Sequence, residues 1–233
     1  MPILWSERLI YAASAFPSWI VLLVLLVALA VWMFSSVRAK KRTQALQETA
    51  QQIGFNFVGT DPSSTTQTRT ALFHKGSSHK FRNIMNGSFG GFQASLFDYS
   101  YTTSNGRNSS TWTQTVAAFM QNSRLPLFEL RPEGFLDRVG DVFVHRDIDF
   151  ESQPEFSRRY MLRGLEEQAV RELFTPALLT FFEALPPEKK WHIEGGEGTL
   201  FVYRSAATVK PDDIRSFLEE TSSIAQTFFT SCG

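Results

Sequence analysis

Cysteine is nearly absent from this sequence, since Cys232 is the one cysteine among 233 residues. A disulfide within the chain is therefore excluded, which fits a reducing compartment. The four histidines are scattered and show no spacing typical of a zinc site. We expect neither a bound metal nor a cofactor. The histidines are His74, His79, His145 and His192.

Motifs of known chemistry are also missing. The glycine-rich stretches 87–91 and 195–198 contain no lysine of a phosphate-binding loop, and we interpret them as hairpin turns. Neither G-x-S-x-G nor H-E-x-x-H occurs in the sequence. These absences argue against an enzyme more than for one, and they leave the biochemical activity unnamed.

The chain has no excess of either charge, with 23 basic and 23 acidic residues. Five of the basic residues and one of the acidic residues precede Thr43, so the remainder is mildly acidic. A nucleic-acid-binding domain normally presents a basic face. The charge balance therefore excludes nucleic acid as the expected partner.

A long uncharged run dominates what the sequence does contain. No Asp, Glu, Lys, Arg or His occurs from Leu9 to Val37, and every residue from Trp19 to Phe34 is apolar. A bilayer core of about 30 Å requires roughly 20 apolar residues in a helix. Lipid offers no hydrogen-bond partners, so the backbone N–H and C=O groups must bond to one another. The run predicts one transmembrane helix that anchors the protein in a cell membrane.

A cleaved signal peptide is the main alternative, because Ala28-Leu29-Ala30 has the small-residue pattern of a cleavage site. Signal peptides have a basic leader and a short apolar core. Here the leader holds one acidic and one basic residue, and the apolar run continues through Phe34. The pattern favours an uncleaved signal anchor.

Flanking charges predict the orientation of this helix. A basic cluster follows the apolar run directly, whereas upstream the one basic residue stands beside an acidic one. The positive-inside rule then places the bulk of the chain in the cytoplasm and the N-terminus outside. The cluster could also attract anionic lipid headgroups. Its members are Arg38, Lys40, Lys41 and Arg42.

The rest of the sequence predicts an α+β fold. Good helix formers follow the anchor, and Gly54 is suited to end their helix. Runs of strands and runs of helices then predict antiparallel β-meanders with flanking helices and a C-terminal helix. The predicted bounds are 1–37 for the tail and transmembrane helix, 38–53 for a juxtamembrane helix or stalk, and 54–233 for a soluble domain, in one part or in two parts near 54–138 and 142–233.

Strand patterns alternate in both halves of this domain. Phe92–Thr102 and Thr111–Met120 predict a hairpin, because Asn105-Gly106 between them is a strong turn signal. Val142–Phe150 and Phe156–Leu162 predict two further strands.

Helical patterns follow those strands. Leu165–Leu185 predicts a helix that Pro176 kinks or splits, and Trp191–Tyr203 predicts a hairpin. Pro211–Phe229 predicts the last helix, with Pro211 in its first turn. Its buried stripe is expected to be Ile214, Phe217, Leu218, Thr221, Ile224 and Phe228.

Several short runs resemble an uncharacterised family of bacterial, single-pass, membrane-anchored proteins that contain a domain of unknown function. The resemblance covers most of the soluble part and implies a bacterial membrane protein, but it implies no activity and transfers no catalytic residue. The matching runs are Arg82-Asn83, Gly87, Leu96–Tyr101, Gln114–Val116, Asp147–Glu151 and Pro154–Ser157.

Two groups of residues are candidates for binding. Asp98 stands in an aromatic strand with Tyr99 and Tyr101, and a buried carboxylate needs partners or a raised pKa. Three carboxylates alternate and would share one face of a strand, where they could hold a divalent cation or act as acid and base. A solvated strand face is the simpler interpretation. These carboxylates are Asp147, Asp149 and Glu151.

Three functional hypotheses follow. The first is a non-catalytic, membrane-tethered cytosolic module that binds another membrane protein, a peripheral protein or lipid headgroups. The second is a metal-dependent hydrolase built on Asp147, Asp149 and Glu151. The third is an assembly or receptor domain outside the cytoplasm, which requires the charge rule to fail. The sequence gives no oligomeric state.

Overall fold

The computed structural model describes residues 17–60, 70–104, 106, 108–122, 125–134 and 147–231. The chain divides into two compact units, Met1–Ala45 and Leu46–Gly233. The helices are α1 Ser18–Gln52, α2 Ala71–His74, α3 Pro154–Arg159, α4 Glu167–Leu173, α5 Pro176–Ala184 and α6 Ile214–Ser231, with 3-10 turns at Pro187–Lys189 and Pro211–Asp213. The strands are β1 Asn56–Gly59, β2 Ser77–Phe89, β3 Phe92–Ser104, β4 Ser109–Met120, β5 Phe128–Pro132, β6 Tyr160–Gly164, β7 His192–Gly196 and β8 Thr199–Tyr203.

The first part of α1 is apolar on every side. Its most apolar 18-residue window has a mean hydropathy of 2.8, and no residue of that window is buried. Among the described residues, α1 is the one helix long and apolar enough to cross a membrane. The hydroxyls of Ser35 and Ser36 both donate to the Trp32 carbonyl at 2.8 Å, so they need no external partner. These features fit a single-pass membrane protein.

The end of α1 belongs to the folded domain. Leu46 and Ala50 are buried one turn apart and join the main core. Gly54 ends the helix in the left-handed conformation, at φ +77°, and the Phe55 amide donates to the Ala50 carbonyl at 2.7 Å. The predicted glycine stop is confirmed, because glycine adopts positive φ without steric cost.

The eight strands of the described residues form one antiparallel sheet in the order β1-β2-β3-β4-β8-β7-β5-β6. Strands from both 54–138 and 142–233 therefore share this sheet. The predicted α+β class, with an antiparallel sheet, flanking helices and a C-terminal helix, is confirmed.

The sheet has two unlike faces, because successive side chains along a strand point in opposite directions. The inner face packs against α6, the helices α3 to α5 and the end of α1 through a large aromatic and aliphatic core. Gly195 belongs to this face, and a Cβ there would lie 2.2 Å from the Phe128 ring. The outer face carries a smaller cluster: Leu72, Ile84, Phe97, Tyr99, Tyr101, Val116, Ala118, Phe201 and Tyr203.

The helical predictions after residue 165 are confirmed. Pro176 splits the predicted helix into α4 and α5, and the Thr175 hydroxyl caps α5 by accepting from the Leu178 amide at 3.4 Å. The helix after Pro211 buries the whole predicted stripe.

The predicted strand Phe156–Leu162 is partly wrong. The segment begins as the helix α3, and strand β6 starts only at Tyr160. Pro154 and Glu155 suit the first turn of a helix, and Arg158 and Arg159 suit its last turn. Six helical residues are too few for periodicity to distinguish them from a strand.

Candidate functional site

The outer face of the sheet is crossed by a short segment, Thr70–Lys75, which we call the strap. It contains α2, and its residues contact side chains from strands β3, β5, β7 and β8. Phe73 packs edge-on against the rings of Tyr99 and Phe201, with both centroids 5.2 Å away. These contacts fix the centre of the strap on the aromatic part of the sheet.

Side chains from the sheet hold both backbone polar groups of Leu72. Its amide donates to Glu194 Oε2 at 2.8 Å, and its carbonyl accepts from the Tyr99 hydroxyl at 3.1 Å. The second oxygen of Glu194 accepts from the Tyr203 hydroxyl at 2.6 Å. Both oxygens of this fully buried carboxylate are therefore hydrogen-bonded.

A buried ion pair holds the end of the strap. Lys75 Nζ lies 3.2 Å from Glu129 Oε1, and each side chain is only 6% exposed. Glu129 on β5 is paired in register with Glu194 on β7, so the two carboxylates occupy one face of the sheet. Lys75 brings a positive charge to a pair of acidic residues that would otherwise repel each other.

Burial changes the proton affinity of this cluster. Desolvation, followed by repulsion from Glu129, raises the pKa of Glu194 to about 7, against the lowering effects of Lys75, Tyr203 and the Leu72 amide. The carboxyl group of Glu194 therefore titrates near neutral pH.

His192 has the opposite shift. Burial, with Lys75 and Arg131 nearby, lowers the pKa of His192 to about 3, so its ring is neutral at ordinary pH. The ring is stacked on Tyr203, with centroids 5.2 Å apart.

Tyr99 connects the cluster to a histidine nearer the surface. The hydroxyl of Tyr99 donates to Leu72 and lies 2.6 Å from His79 Nδ1. Because that hydroxyl proton is directed at the carbonyl, His79 Nδ1 is assigned as the donor in the second bond. Burial is the main cause that raises the pKa of Tyr99, so its phenol stays neutral.

An apolar groove of about 260 Å³ opens on the outer face beside the strap. Phe73 contacts two of its lining residues, since its ring centroid lies 5.5 Å from that of Phe81 and 5.2 Å from that of Phe201. Polar groups stand at its edge, where the Ser95 hydroxyl donates to Asn86 Oδ1 at 2.7 Å. The apolar lining is Phe81, Ile84, Phe97, Ala118, Met120 and Phe201.

Among the described parts of the chain, both oxygens of the Glu194 carboxylate are already bonded, one to the Leu72 amide and the other to the Tyr203 hydroxyl. In the same parts, no group of three His, Cys, Asp or Glu side chains is placed to hold a metal ion.

Asp98, on strand β3, lies opposite a bulge in strand β2. Its two carboxylate oxygens accept from Asn83 Nδ2 and from the Thr115 hydroxyl, each at 2.8 Å. Asn83 has a φ of +52° where the pairing of β2 with β3 shifts register. A bulge of this kind leaves a residue outside the hydrogen-bonded ladder. The Asp98 carboxylate holds the side chain of the bulged residue Asn83 in place.

Tyr99 and Tyr101, the other two candidates on this strand, point to the face of the sheet opposite Asp98, as the alternation along the strand predicts. Both are buried in the outer-face cluster, with ring centroids 5.9 Å apart. Of the three, Tyr99 contacts the strap directly.

The three alternating carboxylates do not stand on a strand. Residues 147–150 have no regular structure and Glu151 lies in a turn, while positions 142–146 of the predicted strand lie outside the described residues. Asp147 Oδ1 accepts from the Leu162 amide at 2.7 Å, and the Ile148 amide donates to the Leu162 carbonyl at 2.8 Å. This segment thus pairs with the edge strand β6, whereas Asp149 and Glu151 face solvent.

The basic cluster is on α1. Arg38, Lys40 and Lys41 are exposed, and the Arg38 guanidinium lies 4.6 Å from the centroid of the Phe34 ring. This cation–π contact joins the charge to the last residue of the apolar run. The cluster therefore begins directly at the polar end of that run.

The sequence interpretation missed the buried polar and charged residues that form the cluster around the strap. The available signal was a charged residue between apolar neighbours, as in Phe128-Glu129-Leu130 and again at Ile193-Glu194. Local patterns cannot reveal that these two strands are neighbours, because the pairing joins residues far apart in sequence. The missed residues are Lys75, Glu129, His192, Glu194 and Tyr203.

Comparisons with known proteins address the fold. No protein-family model matches the chain, and a search of curated proteins finds no match. Among solved structures, the chain is similar to the crystal structure of the mycobacterial trehalose monomycolate transport factor A, TtfA, with 12% sequence identity and a TM-score of 0.50. The match covers 80% of this chain and 95% of that one. At this identity the likeness shows a shared fold.

Proposed function

We propose that this protein is a non-catalytic interaction module tethered to the cytoplasmic side of a bacterial cell membrane. The carrying observation is that α1 contains both an exposed apolar run of membrane-spanning length and core residues of the folded domain. A tether of this kind raises the effective concentration of the domain at the membrane.

The proposed partner is another membrane protein or a peripheral protein, which would contact the open groove on the outer face. Its apolar lining and polar edge resemble the composition of a protein interface, where an apolar centre is surrounded by polar residues. The fold shared with a protein described as a transport factor is consistent with a membrane-associated module.

The cytoplasmic placement rests on the basic cluster. Arg38, Lys40, Lys41 and Arg42 follow the apolar run, and basic residues near a span favour the cytoplasmic side. Bacterial origin rests on the sequence resemblance described above.

Site-specific photo-crosslinking in native membranes tests the proposal. A photoreactive phenylalanine analogue replaces Met120, which is 42% exposed at the groove, and a matched control replaces exposed Ser223 on α6. We expect a recurrent crosslinked protein of one mass from position 120 and none from position 223. Equal labelling from both positions, or none from either, would reject the groove as the contact surface.

The metal-dependent hydrolase is the weaker candidate. It requires Asp147, Asp149 and Glu151 to converge, but Asp147 bonds to the edge of β6 while the other two face solvent. Calorimetric titration with Mg²⁺, Mn²⁺ and Ca²⁺ tests it directly, and saturable binding that Asp147→Asn abolishes would revive it.

A further inference from the structure

The strap is attached to the sheet through groups that titrate or carry charge. The Leu72 amide depends on Glu194 from β7, and Lys75 is paired with Glu129 from β5. Immediately after Lys75, Gly76 has a φ of +69°. This residue marks the point where the strap joins β2, and its conformation is one that glycine adopts readily.

We propose that the strap is a proton-controlled cover of the outer face, docked while Glu194 is protonated and released when Glu194 ionises. Release would withdraw Phe73 from Phe81 and Phe201, both of which line the groove. The groove would then extend into the aromatic surface that Phe73 now occupies. The cover regulates access to this face, whichever molecule binds there.

The docked geometry accepts a proton without losing the strap. Glu194 Oε2 can keep the Leu72 amide as its donor while a proton on Oε1 is donated to the Tyr203 oxygen, because a phenol hydroxyl both donates and accepts. The ionised carboxylate also fits these bonds, but it must remain charged in a fully buried position beside Glu129. Burying that charge disfavours the docked state.

Several charged and titratable groups surround Glu194. Lys75 lowers the cost of ionising Glu194, whereas Glu129 raises that cost, and desolvation raises it most. His192 acts in the opposite sense with pH, because exposure of its neutral ring would allow it to take up a proton in acid. The groups are Glu129 and Arg131 from β5, His192 from β7, Tyr203 from β8, Tyr99 from β3 and Lys75 from the strap.

The sign of the pH effect follows from these environments. Docked, Glu194 has a pKa of about 7, and in water it would return toward its ordinary value of 4.5. The docked state therefore binds this proton more tightly, and release becomes more favourable as pH rises between those two values.

Hydrogen exchange of the full-length protein in detergent micelles measures strap release, with protection factors corrected for the intrinsic rate at each pH. Glu194→Gln keeps the shape and removes the charge. We expect this variant to raise the protection of residues 71–75 over wild type, and the gain at pH 8.5 to exceed the gain at pH 5.5 by roughly thirtyfold. Comparing the two proteins cancels the opposing contribution of His192.

Two controls make the result specific. Glu197→Gln removes an exposed charge from the neighbouring turn and should change no protection factor. Amides of β3 and β4 should stay protected in every protein, which separates strap release from global unfolding. If Glu194→Gln changes strap protection equally at both pH values, or leaves it unchanged, the proposal is wrong.

A second variant covers the case in which Glu194→Gln does not fold. Tyr203→Phe removes the hydroxyl that lowers the pKa of Glu194. The pH midpoint of strap release should then move upward. An unchanged or lowered midpoint would overturn the proposal.

Discussion

Glu194 and Leu72 are 122 positions apart in the sequence, yet the Glu194 carboxylate accepts the Leu72 amide proton at 2.8 Å. The bond connects a central strand to the strap that crosses it. Because the carboxylate is fully buried, the bond has consequences for both pH dependence and stability.

Glu194→Gln should change how global stability depends on pH. The raised pKa of Glu194 gives wild type a contribution that is complete below pH 4.5 and is lost as pH rises to about 7. The variant lacks this loss, so its free energy of unfolding relative to wild type should increase by about 3 kcal/mol over that range. Denaturant titrations in micelles at pH 4.5, 5.5 and 7 measure it, and parallel curves for both proteins would contradict it.

The contribution of His192 to the free energy of unfolding should change with pH in the opposite direction to that of Glu194. With its pKa lowered to about 3, the folded protein resists protonation that the unfolded chain accepts below pH 6.5. Stability from this residue is therefore present above pH 6.5 and is lost toward pH 3. In the Glu194→Gln background, unfolding free energy should rise between pH 3 and pH 6.5. A flat profile there would contradict the lowered pKa of His192.

Lys75→Met should be strongly destabilising, because it leaves Glu129 charged and buried. Breaking a buried ion pair from one side costs about 3 kcal/mol or more. The double variant Lys75→Met/Glu129→Gln should recover much of this loss, since no unpaired charge remains. Thermal unfolding of the three proteins tests the coupling. Strictly additive losses would mean that the two residues do not act as a pair.

Gly195→Ala should destabilise the inner core, whereas Gly196→Ala should have a smaller effect. A Cβ at Gly195 would lie 2.2 Å from the Phe128 ring, while one at Gly196 would lie 2.8 Å from the mobile end of Leu127. Overpacking against a fixed ring costs about 1–3 kcal/mol. Chemical denaturation of the neighbouring variants compares them directly, and equal losses would argue against the ring contact.

Leu26→Arg should weaken membrane insertion, because a charge at the centre of a membrane helix costs about 3 kcal/mol on insertion scales. Gln47→Arg adds the same charge at an exposed position of α1 and is the control. After alkaline extraction, the first variant should appear partly in the soluble fraction and the second should stay with the membrane. If both stay, the apolar run tolerates a central charge.

Local sequence was sufficient to predict those elements whose pattern is long or is bounded by a proline or a turn signal. The uninterrupted apolar run predicted the first part of α1, and Pro176 predicted the division between α4 and α5. The aromatic alternation from Phe92 and the turn signal after it predicted β3 and β4. In each case, residues within one element determine its structure.

The strap and the β6 edge could not be predicted in this way. The neighbourhood of Glu129 and Glu194 arises from pairing between distant strands, which local periodicity does not encode. The alternation of Asp147 and Asp149 resembled a strand, but Asp147 instead bonds to the edge of β6. Whether an acidic residue is buried or solvated is decided by these tertiary contacts.

The most direct test of the tethered cytoplasmic module is its sidedness. Alkaline phosphatase and a fluorescent protein are fused separately after Gly233 in the full-length protein expressed in bacteria. We expect fluorescence without phosphatase activity, because the basic cluster after the apolar run should hold the domain in the cytoplasm. Phosphatase activity without fluorescence would place the domain outside, contradict the proposal and direct the search for partners to the cell envelope.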